Sequence, residues 1–321
     1  LFARVNGLLG ASVEAAVAEL CAEGWEEMAP LGGDAAASPL ATAVARGVRS
    51  AVFCRDALLA DVLCFPPGGG ALRKLRLVRE GLLLLQDRAS CMAAHVLGPL
   101  PGEEVIDACA APGKKTAHLA ALMGNQGTVR AYDRDGVRAA AMAVSLRRLG
   151  ATSVTAAAQD FGRLCAETSG AVRILLDPSC SGSGTTFSKA DPEELAVFVV
   201  NQEALLRHAL SFPSVLRVVY STCSVHAEEN EAVVAAALAS SPRWRLAPAL
   251  PEWPRRGRAH AGLTTAEAAM CIRCCPRRDL CLGFFVACFE RRPAVEGAER
   301  KCRKRNRGRK GQRRVDSNEQ T

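Results

Sequence analysis

The sequence predicts a doubly wound α/β fold, with a small α+β segment before it and a disordered basic tail after it. Apolar strand-like runs alternate with helical patterns from residue 105 onward, which is typical of a parallel sheet covered on both faces. The composition, 49% hydrophobic and 23% charged, is that of a globular chain. We therefore predict an N-terminal segment over residues 1–100, a main domain over residues 101–292 and a tail over residues 293–321.

The N-terminal segment shows the weaker patterns. Residues 2–6 predict a strand, apolar positions from Val13 to Leu20 repeat at helical spacing, and residues 88–97 predict a second helix. Glycine, alanine and proline are frequent in residues 28–70, so the pattern there predicts only short apolar pieces. Because the chain begins with Leu1 rather than Met, we expect this segment to be truncated.

The main domain alternates regularly between strand and helix. The predicted strands are 105–107, 128–133, 153–157, 172–177 and 216–222, with an antiparallel strand at 283–290 near the sheet edge. The predicted helices are 115–123, 136–149, 192–210 and 228–239. Such sheets bind ligands beyond the carboxyl ends of their strands. Five side chains fall at or just past those ends, and we expect them to share one pocket: Asp107, Asp133, Asp160, Asp177 and Cys223.

The stretch 105–116 predicts a strand, a tight turn and the start of a helix, which together form a ligand-binding turn. A phosphate-binding P-loop needs Gly-Lys followed by Ser or Thr, and neither Gly113-Lys114 nor Lys115-Thr116 meets that requirement. The dinucleotide pattern Gly-x-Gly-x-x-Gly is absent as well. The turn therefore suits a less charged nucleoside ligand, and an ordinary tight turn between strand and helix is the alternative.

The next predicted strand ends in Asp133, which is placed to accept hydrogen bonds from ribose hydroxyls. S-adenosylmethionine is a nucleoside ligand that fits this arrangement. We therefore predict S-adenosylmethionine as the cofactor.

Two cysteines follow neighbouring predicted strands, in Asp177-Pro-Ser-Cys180 and in Tyr-Ser-Thr-Cys223. Amine methyltransferases carry Asn or Asp, Pro, Pro and an aromatic residue in the motif that here begins at Asp177. This chain has Ser179 and Cys180 there and no aromatic residue, which weakens an N-methylation hypothesis. Carbon-5 of a pyrimidine becomes nucleophilic when a thiolate adds to carbon-6, and cysteine is already partly ionised near neutral pH. The pair of thiols beside a carboxylate therefore favours methylation of pyrimidine carbon-5, although each cysteine alone is typical of a small buried residue.

The chain resembles the Sun-domain (NSUN, or bacterial Fmu-like) RNA cytosine-5 methyltransferases over about residues 4–290. Three motifs in order carry the resemblance: Asp-Ala-Cys-Ala-Ala-Pro-Gly-x-Lys-Thr at 107–116, Asp-Pro-Ser-Cys-Ser-Gly-Ser-Gly at 177–184 and Tyr-Ser-Thr-Cys-Ser at 220–224, followed by Glu-Glu-Asn-Glu at 228–231. Within the family the resemblance is to the fifth NSUN paralogue, through the serine of the second motif and Leu-Gln-Asp-Arg-Ala-Ser-Cys at 85–91.

The resemblance implies a Rossmann-like class I S-adenosylmethionine-dependent methyltransferase acting on cytosine in large-subunit ribosomal RNA, with the first segment helping to place the RNA. It implies Cys223 as the nucleophile, Cys180 as the group that assists release, and Asp177 between cofactor and base. The cofactor-binding residues that it implies are Cys109, Ala110, Ala111, Pro112, Gly113, Lys114, Lys115, Asp133, Arg138, Asp160 and Asp177.

Most of the positive charge lies in the tail. The net charge is +8, and ten of the fifteen residues 300–314 are Lys or Arg, which leaves the rest of the chain at about −2. Such a run predicts a solvated arm for RNA binding or nuclear targeting, and a merely solubilising terminus is the alternative. Together with the resemblance, this charge distribution predicts a nuclear, nucleolar protein of ribosome biogenesis and rRNA processing that binds RNA and acts as a monomer.

The fourteen cysteines are irregularly spaced, which favours a reducing compartment over a disulfide scaffold. Four of them lie close together, but without a second Cys-x-x-Cys or His pair we expect no metal: Cys271, Cys274, Cys275 and Cys281. No apolar run is long enough to cross a bilayer, so we expect no membrane association.

Two other functions remain open on the sequence alone. A DNA cytosine-5 methyltransferase would use Cys180 as its nucleophile, but the Thr-Cys at Cys223 disfavours that hypothesis. An RNA-binding ribosome-assembly factor could retain the fold with little activity, although the intact turn and both thiols disfavour it.

Overall fold

Two β-sheets organise the compact unit formed by residues 1–291. The computed structural model describes residues 1–33, 35, 38–47, 51–67, 70–186, 190–260 and 262–293. The predicted disordered basic tail lies outside the described residues from residue 294 onward. No helix in the described part of the chain is long and apolar enough to span a membrane.

The smaller sheet has five strands in the order β2-β3-β4-β1-β5, and its only parallel pair is β2 with β3 among these described strands. The strands are β1 Phe2–Val5, β2 Glu26–Leu31, β3 Val52–Asp56, β4 Val62–Cys64 and β5 Leu83–Leu85. The helices are α1 Val13–Ala22, α2 Pro39–Ala45, α3 Gly70–Lys74 and α4 Arg76–Arg79. This arrangement confirms a small α+β segment and adds three strands where the sequence indicated only short apolar pieces.

The pattern missed β2 because this edge strand is largely exposed, contains Pro30 and shifts register between Met28 and Leu31. It therefore lacks the alternation of apolar and polar residues that marks a half-buried strand.

The larger sheet has the strand order β11-β13-β10-β9-β6-β7-β8, with β12 paired to β13. Neighbouring strands from β10 to β8 are parallel, whereas β11, β12 and β13 are added in antiparallel pairs. The strands are β6 Glu104–Asp107, β7 Thr128–Asp133, β8 Val154–Ala158, β9 Arg173–Leu176, β10 Arg217–Thr222, β11 Trp244–Ala247, β12 Ile272–Cys274 and β13 Phe284–Arg291. The predicted doubly wound sheet is confirmed.

The remaining helices pack on this sheet or connect its strands. They are α5 Arg88–Leu97, α6 Lys114–Leu122, α7 Gly136–Arg148, α8 Ser183–Thr186, α9 Pro192–Ser211, α10 Val233–Ser240, α11 Thr265–Ala268 and α12 Pro276–Asp279. The helix predicted over residues 228–239 begins one turn late, because a π-helical turn over Glu228–Ala232 precedes α10.

The order of the strands reverses between β6 and β9. From β6 the chain proceeds to β7 and β8 on one side, and it then returns to form β9 and β10 on the other. Doubly wound sheets open a crevice at such a switch point, beyond the carboxyl ends of the strands. The strands there end at Asp107 and Leu176, so Asp177 lies directly at the crevice.

Buried polar contacts join the smaller sheet to the main domain. Arg88, at the start of α5, forms an ion pair with Asp56 of β3, and both side chains are fully buried. His95 of α5 and His118 of α6 approach the two carboxylate oxygens of Asp61, at 2.7 and 2.9 Å. Arg88 and Asp56 neutralise each other's buried charge, whereas burial lowers the pKa of His118 to about 3, so its ring contacts Asp61 as a neutral group. These contacts hold α5 and α6 against the smaller sheet.

Candidate active site

A cleft of about 350 Å3 lies beyond the carboxyl ends of the parallel strands. Four of the five side chains expected at the strand ends line it, namely Asp133, Asp160, Asp177 and Cys223. Asp107 instead lies buried beneath, where its carboxylate accepts a 2.7 Å hydrogen bond from Thr116 Oγ1. Burial raises the pKa of Asp107 to about 7 despite that hydrogen bond.

The turn after β6 forms one wall of the cleft. Cys109 and Ala111 line it, whereas Ala110 is buried and Pro112 is exposed. Gly113 has a φ of +96°, and a Cβ added there would lie 3.0 Å from Met142 Cγ of α7. Glycine is therefore needed both for the left-handed backbone and for the close approach of α7.

The two adjacent lysines of this turn have opposite surroundings. Lys114 Nζ donates to the carbonyl of Leu85 in β5, at 2.9 Å, so its side chain extends to the smaller sheet. Lys115 Nζ donates to Asp177 Oδ2 at 2.6 Å and lies 5.4 Å from the ring centroid of Phe284. Only the second lysine of the pair brings its charge to the thiols and carboxylates of the candidate site.

Asp133 closes the turn from the end of β7. Its Oδ2 accepts a 3.2 Å hydrogen bond from Ala111 N and lies 3.3 Å from Arg138 Nη2, while its Oδ1 accepts from Asp135 N at 3.0 Å. Arg138 also donates to the carbonyl of Ala111 at 2.9 Å. These bonds hold the carboxylate at the cleft wall and tie the turn to the start of α7.

Past β8, Asp160 lines the far end of the cleft and its Oδ1 accepts from Gly162 N at 3.0 Å. Phe161 from the same turn and Leu205 of α9 line the cleft beside it. This end of the cleft thus combines apolar side chains with one carboxylate.

Asp177 connects the turn after β6 to β10. Its Oδ2 accepts from Lys115 Nζ, and its Oδ1 accepts from Ser221 Oγ at 2.6 Å. Burial lowers the pKa of Lys115, but the Asp177 carboxylate, assisted by Asp107 and Cys223, outweighs burial and leaves that pKa raised. Lys115 is therefore a fixed ammonium group between the Asp177 carboxylate and the Cys223 thiol.

The Sγ atoms of Cys180 and Cys223 lie 3.3 Å apart, one after β9 and the other after β10. A hydrogen bond from Cys180 lowers the pKa of Cys223 to about 7, with further help from Thr185 and Lys115, although burial and the Asp177 carboxylate oppose this shift. The pKa of Cys180 is raised by its hydrogen bond to Cys223, by burial and by the nearby Glu229 charge. The two thiols are thus differentiated, and Cys223 is the one that ionises.

A buried glutamate holds the loop that carries Cys180. Glu229 Oε1 accepts from Ser181 N at 2.9 Å and from Gln202 Nε2 at 2.9 Å, and its Oε2 accepts from Ser181 Oγ at 2.6 Å. Gln202 also donates to the carbonyl of Ser179, and Tyr220 donates to the carbonyl of Glu229. Glu229 belongs to the Glu-Glu-Asn-Glu motif at 228–231, for which the family resemblance implied no role.

The loop that carries Cys223 is held just as closely. Gly184 N donates to the carbonyl of Cys223 at 2.9 Å, and a Cβ on Gly184 would come within 2.1 Å of the carbonyl oxygen of Gly283. Asn230 Nδ2 donates to the carbonyl of Ser224 at 3.0 Å, and its Oδ1 accepts from Thr222 Oγ1 at 2.5 Å. The π-helical turn therefore positions both thiol loops, Cys180 through Glu229 and Cys223 through Asn230.

The sequence profile of the family described as 16S rRNA methyltransferase RsmB/F matches residues 94–290. The matched range includes both thiols and all strands of the larger sheet except the last residue of β13. The chain belongs to the RsmB/F family. The family resemblance drawn from the three motifs is thereby confirmed.

Relatives of this RsmB/F chain include proteins of mouse and Arabidopsis thaliana. The chain is 45% identical over 266 residues to the Mus musculus 28S rRNA (cytosine-C(5))-methyltransferase, covering 78% of this chain and 55% of the mouse protein. It is 39% identical over 280 residues to the Arabidopsis 25S rRNA (cytosine-C(5))-methyltransferase NSUN5, covering 78% of this chain and 48% of that protein. The chain spans about half the length of these curated relatives.

The fold of this RsmB/F chain also matches solved structures. A methyltransferase homolog protein from Pyrococcus horikoshii superposes with a TM-score of 0.72 at 28% identity, covering 90% of this chain and 86% of that one. The match therefore includes both the smaller and the larger sheet.

Proposed function

We propose that this chain transfers a methyl group from S-adenosylmethionine to carbon-5 of a cytosine in RNA. The observation that carries the proposal is the 3.3 Å approach of Cys180 Sγ to Cys223 Sγ at the ends of two neighbouring strands. Carbon-5 methylation needs a thiolate for carbon-6 and a second group for the later release of that thiolate, and the proposal is supported by two thiols that line one cleft.

The cleft is suited in size and chemistry to S-adenosylmethionine. Its volume of about 350 Å3 lies within the range of small-molecule sites. Asp133 offers a carboxylate to the ribose hydroxyls, Arg138 a cation to the carboxylate end, and Asp160 beside Phe161 a polar and apolar setting for the adenine. When bound, S-adenosylmethionine supplies an electrophilic methyl group.

Cys223 performs the nucleophilic step. With its pKa lowered to about 7, a large fraction of this side chain is thiolate near neutral pH. Its attack on carbon-6 forms a C–S bond and shifts electron density to carbon-5, where the methyl group is received. Lys115 and the hydrogen bond from Cys180 stabilise the thiolate before attack.

Asp177, held by Lys115 and Ser221, orients the base. Both carboxylate oxygens of Asp177 already accept one hydrogen bond, from Lys115 and from Ser221, and each retains a lone pair for the amino group of cytosine. A carboxylate fixed in this way cannot rotate, so it presents the base in one orientation.

Cys180 assists the release of product. After methyl transfer, the proton on carbon-5 passes to solvent water in the open cleft, and the electron pair of that C–H bond re-forms the double bond between carbon-5 and carbon-6. The C–S bond breaks at the same time, with its electron pair returning to Cys223 Sγ. The Cys180 thiol stays protonated beside that sulfur and stabilises the departing thiolate by hydrogen bonding. Cys180 therefore lowers the pKa of the nucleophile at the start of the cycle and assists the release of the thiolate at its end.

We propose large-subunit ribosomal RNA as the substrate, because the mouse and Arabidopsis relatives are named 28S and 25S rRNA methyltransferases. Such a substrate suits a nuclear, nucleolar protein of ribosome biogenesis, and we propose that the chain works there as a monomer. The basic residues 300–314 support this proposal because they can bind phosphates.

The test is methyl transfer by the purified chain from labelled S-adenosylmethionine to total large-subunit RNA, followed by nucleoside mass spectrometry. The proposal requires label in 5-methylcytidine. Label in N-methylated nucleosides would contradict it, and RNA binding without cofactor binding or transfer would favour the assembly-factor alternative.

A further inference from the structure

A second cleft, of about 550 Å3, lies beside the loop that carries Cys223. Arginine side chains dominate its lining, and we call it the arginine cleft: Arg255, Arg256, Arg258, Arg273 and Arg278. No acidic and no aromatic side chain is among the described residues that line it. Its surface therefore offers guanidinium groups to a ligand and no ring on which a base could stack.

Two buried carboxylates lie behind these arginines. Arg273 forms a two-pronged ion pair with Glu231, at 2.7 and 2.5 Å, and Arg255 forms an ion pair with Asp279; both acids have no exposed side-chain surface. Five guanidinium charges less two carboxylates leave a net charge of +3 at the cleft. Because the acids are covered, only positive groups face the cleft.

The arginines differ in how firmly they are held. Arg256 donates to the carbonyls of Ala249, Leu250 and Pro251, so protein contacts fix its guanidinium just as ion pairs fix Arg255 and Arg273. The exposed Arg258 and Arg278 have no carboxylate partner among the described residues. These last two side chains keep all their donors for a ligand.

The arginine cleft is connected to the nucleophile through the backbone. Arg273 Nη1 donates to the carbonyl of Val225 at 3.0 Å, and Val225 lines the cleft only two residues after Cys223. A strand whose base reaches Cys223 therefore continues next to this group of positive charges.

We propose that the arginine cleft binds the phosphodiester backbone of the RNA strand beside the target cytosine. Guanidinium groups bind phosphate oxygens with two parallel hydrogen bonds, and such contacts position a strand without reading its sequence. The absence of aromatic side chains from the described lining favours backbone contacts over base stacking. The inference rests on the proposed function, since it takes the RNA substrate from there.

The test compares the full chain with the double variant Arg258→Ala/Arg278→Ala, using a fluorescein-labelled single-stranded oligocytidylate and fluorescence anisotropy across a salt series. Loss of two phosphate contacts should reduce the slope of log affinity against log salt by about 1.4, at about 0.7 per contact. If the variant and the unchanged chain bind equally at about 1 M salt, this difference in slope makes the variant bind about 25-fold more weakly at about 0.1 M salt.

The matched control is Arg147→Ala/Arg148→Ala, which removes the same charge from the exposed last turn of α7, on the side of β8 at the opposite end of the sheet order. The control should keep most of the affinity and its slope. Equal losses of affinity in both double variants would show that the effect comes from net charge alone. An unchanged slope in Arg258→Ala/Arg278→Ala would show that these two arginines do not bind RNA phosphates. Either result overturns the inference.

A covalent-adduct assay separates this inference from the proposed function. An RNA carrying 5-fluorocytosine, which cannot lose a proton from carbon-5, should trap Cys223 in the presence of cofactor. Trapping with no change of slope would overturn the arginine cleft alone. A changed slope without trapping would contradict cytosine-5 methylation and leave the phosphate site in place.

Discussion

Cys180 Sγ and Cys223 Sγ lie 3.3 Å apart although 43 residues separate them in the chain, because β9 and β10 are adjacent parallel strands. The contact is asymmetric: the hydrogen bond from Cys180, together with Thr185 and Lys115, lowers the pKa of Cys223 against burial and Asp177, whereas the pKa of Cys180 is raised. Negative charge therefore accumulates on Cys223, which supports the proposal that the two thiols act in different steps of one reaction.

The first prediction follows from that assignment. Cys223→Ala should abolish both methylation and the covalent RNA adduct, because no other described thiol lies next to Cys180 at this strand end. Cys180→Ala should allow attack but impair release, so the adduct should accumulate. Denaturing gel electrophoresis with labelled RNA measures the adduct. The reverse pattern, with the adduct lost in Cys180→Ala and kept in Cys223→Ala, would favour the DNA-type mechanism.

The second prediction concerns the ionisation of the nucleophile. Alkylation of Cys223 by iodoacetamide should increase with pH around a midpoint of about 7, since the thiolate is the reactive form. In Cys180→Ala the midpoint should move upward, because the hydrogen bond from Cys180 is the largest cause of the lowered pKa. Peptide mass spectrometry can follow the Cys223 peptide, with the exposed Cys21 as an internal reference. An unchanged midpoint would show that Cys180 does not stabilise the thiolate.

The third prediction concerns cofactor binding. Asp133→Ala removes a carboxylate that would accept hydrogen bonds from ribose hydroxyls, at roughly 1.5 to 3 kcal/mol, so affinity for S-adenosylmethionine should decrease about ten- to a hundredfold. Isothermal titration calorimetry gives the affinity. Asp133→Asn can still accept a hydrogen bond from Ala111 N, so its affinity for the cofactor should lie between those of the unchanged chain and Asp133→Ala. Affinity equal to that of the unchanged chain would remove Asp133 from the site.

The fourth prediction tests Glu229 as a positioning residue. Glu229→Ala removes the acceptor of three hydrogen bonds, two from Ser181 and one from Gln202, and frees the loop that holds Cys180. The adduct should then form but decay slowly, as in Cys180→Ala, whereas cofactor affinity should stay the same. Glu229→Gln keeps an acceptor oxygen and should restore most of the release rate. A loss of cofactor affinity in step with the release rate would indicate general unfolding instead.

The sequence predicted the main sheet well because its central strands are buried runs ending in residues with distinctive chemistry. Asp133, Asp177 and Cys223 could be placed at one crevice from the order of strands and helices alone. The direction of individual side chains was beyond such reasoning. Lys114 and Lys115 are neighbours with the same chemistry, and only the packing of β5 and Asp177 around them separates their partners.

The role of Glu229 was hidden for a related reason. In sequence it is one acid among three within residues 228–231, a pattern typical of a solvated helix end. The π-helical turn directs three consecutive side chains into the protein interior, and Glu229, Asn230 and Glu231 are all buried. The arginine cleft is likewise formed by residues 255–278 and Val225, and for residues 255–278 the sequence predicted neither a helix nor a strand.

The last prediction concerns residues 300–321, whose ten Lys and Arg side chains within residues 300–314 contrast with a charge of about −2 on the rest of the chain. Deleting them should weaken RNA binding and flatten its salt dependence. If about five of these side chains meet phosphates, the slope should become shallower by roughly 3 to 4 units, at about 0.7 per contact. Turnover at saturating RNA should change little, because all the candidate catalytic residues precede the tail.

The control is a tail of the same length in which the ten basic residues are replaced by glutamine, which separates charge from chain length. It should behave like the deletion in the salt series, because neutral side chains release no counterions from the RNA. In cells, the full chain should concentrate in the nucleolus, and both tail variants should lose that concentration. If the glutamine variant kept the salt slope and the nucleolar signal of the unchanged chain, the arm would serve only to solubilise the protein, and the RNA contacts would have to come from the folded unit alone.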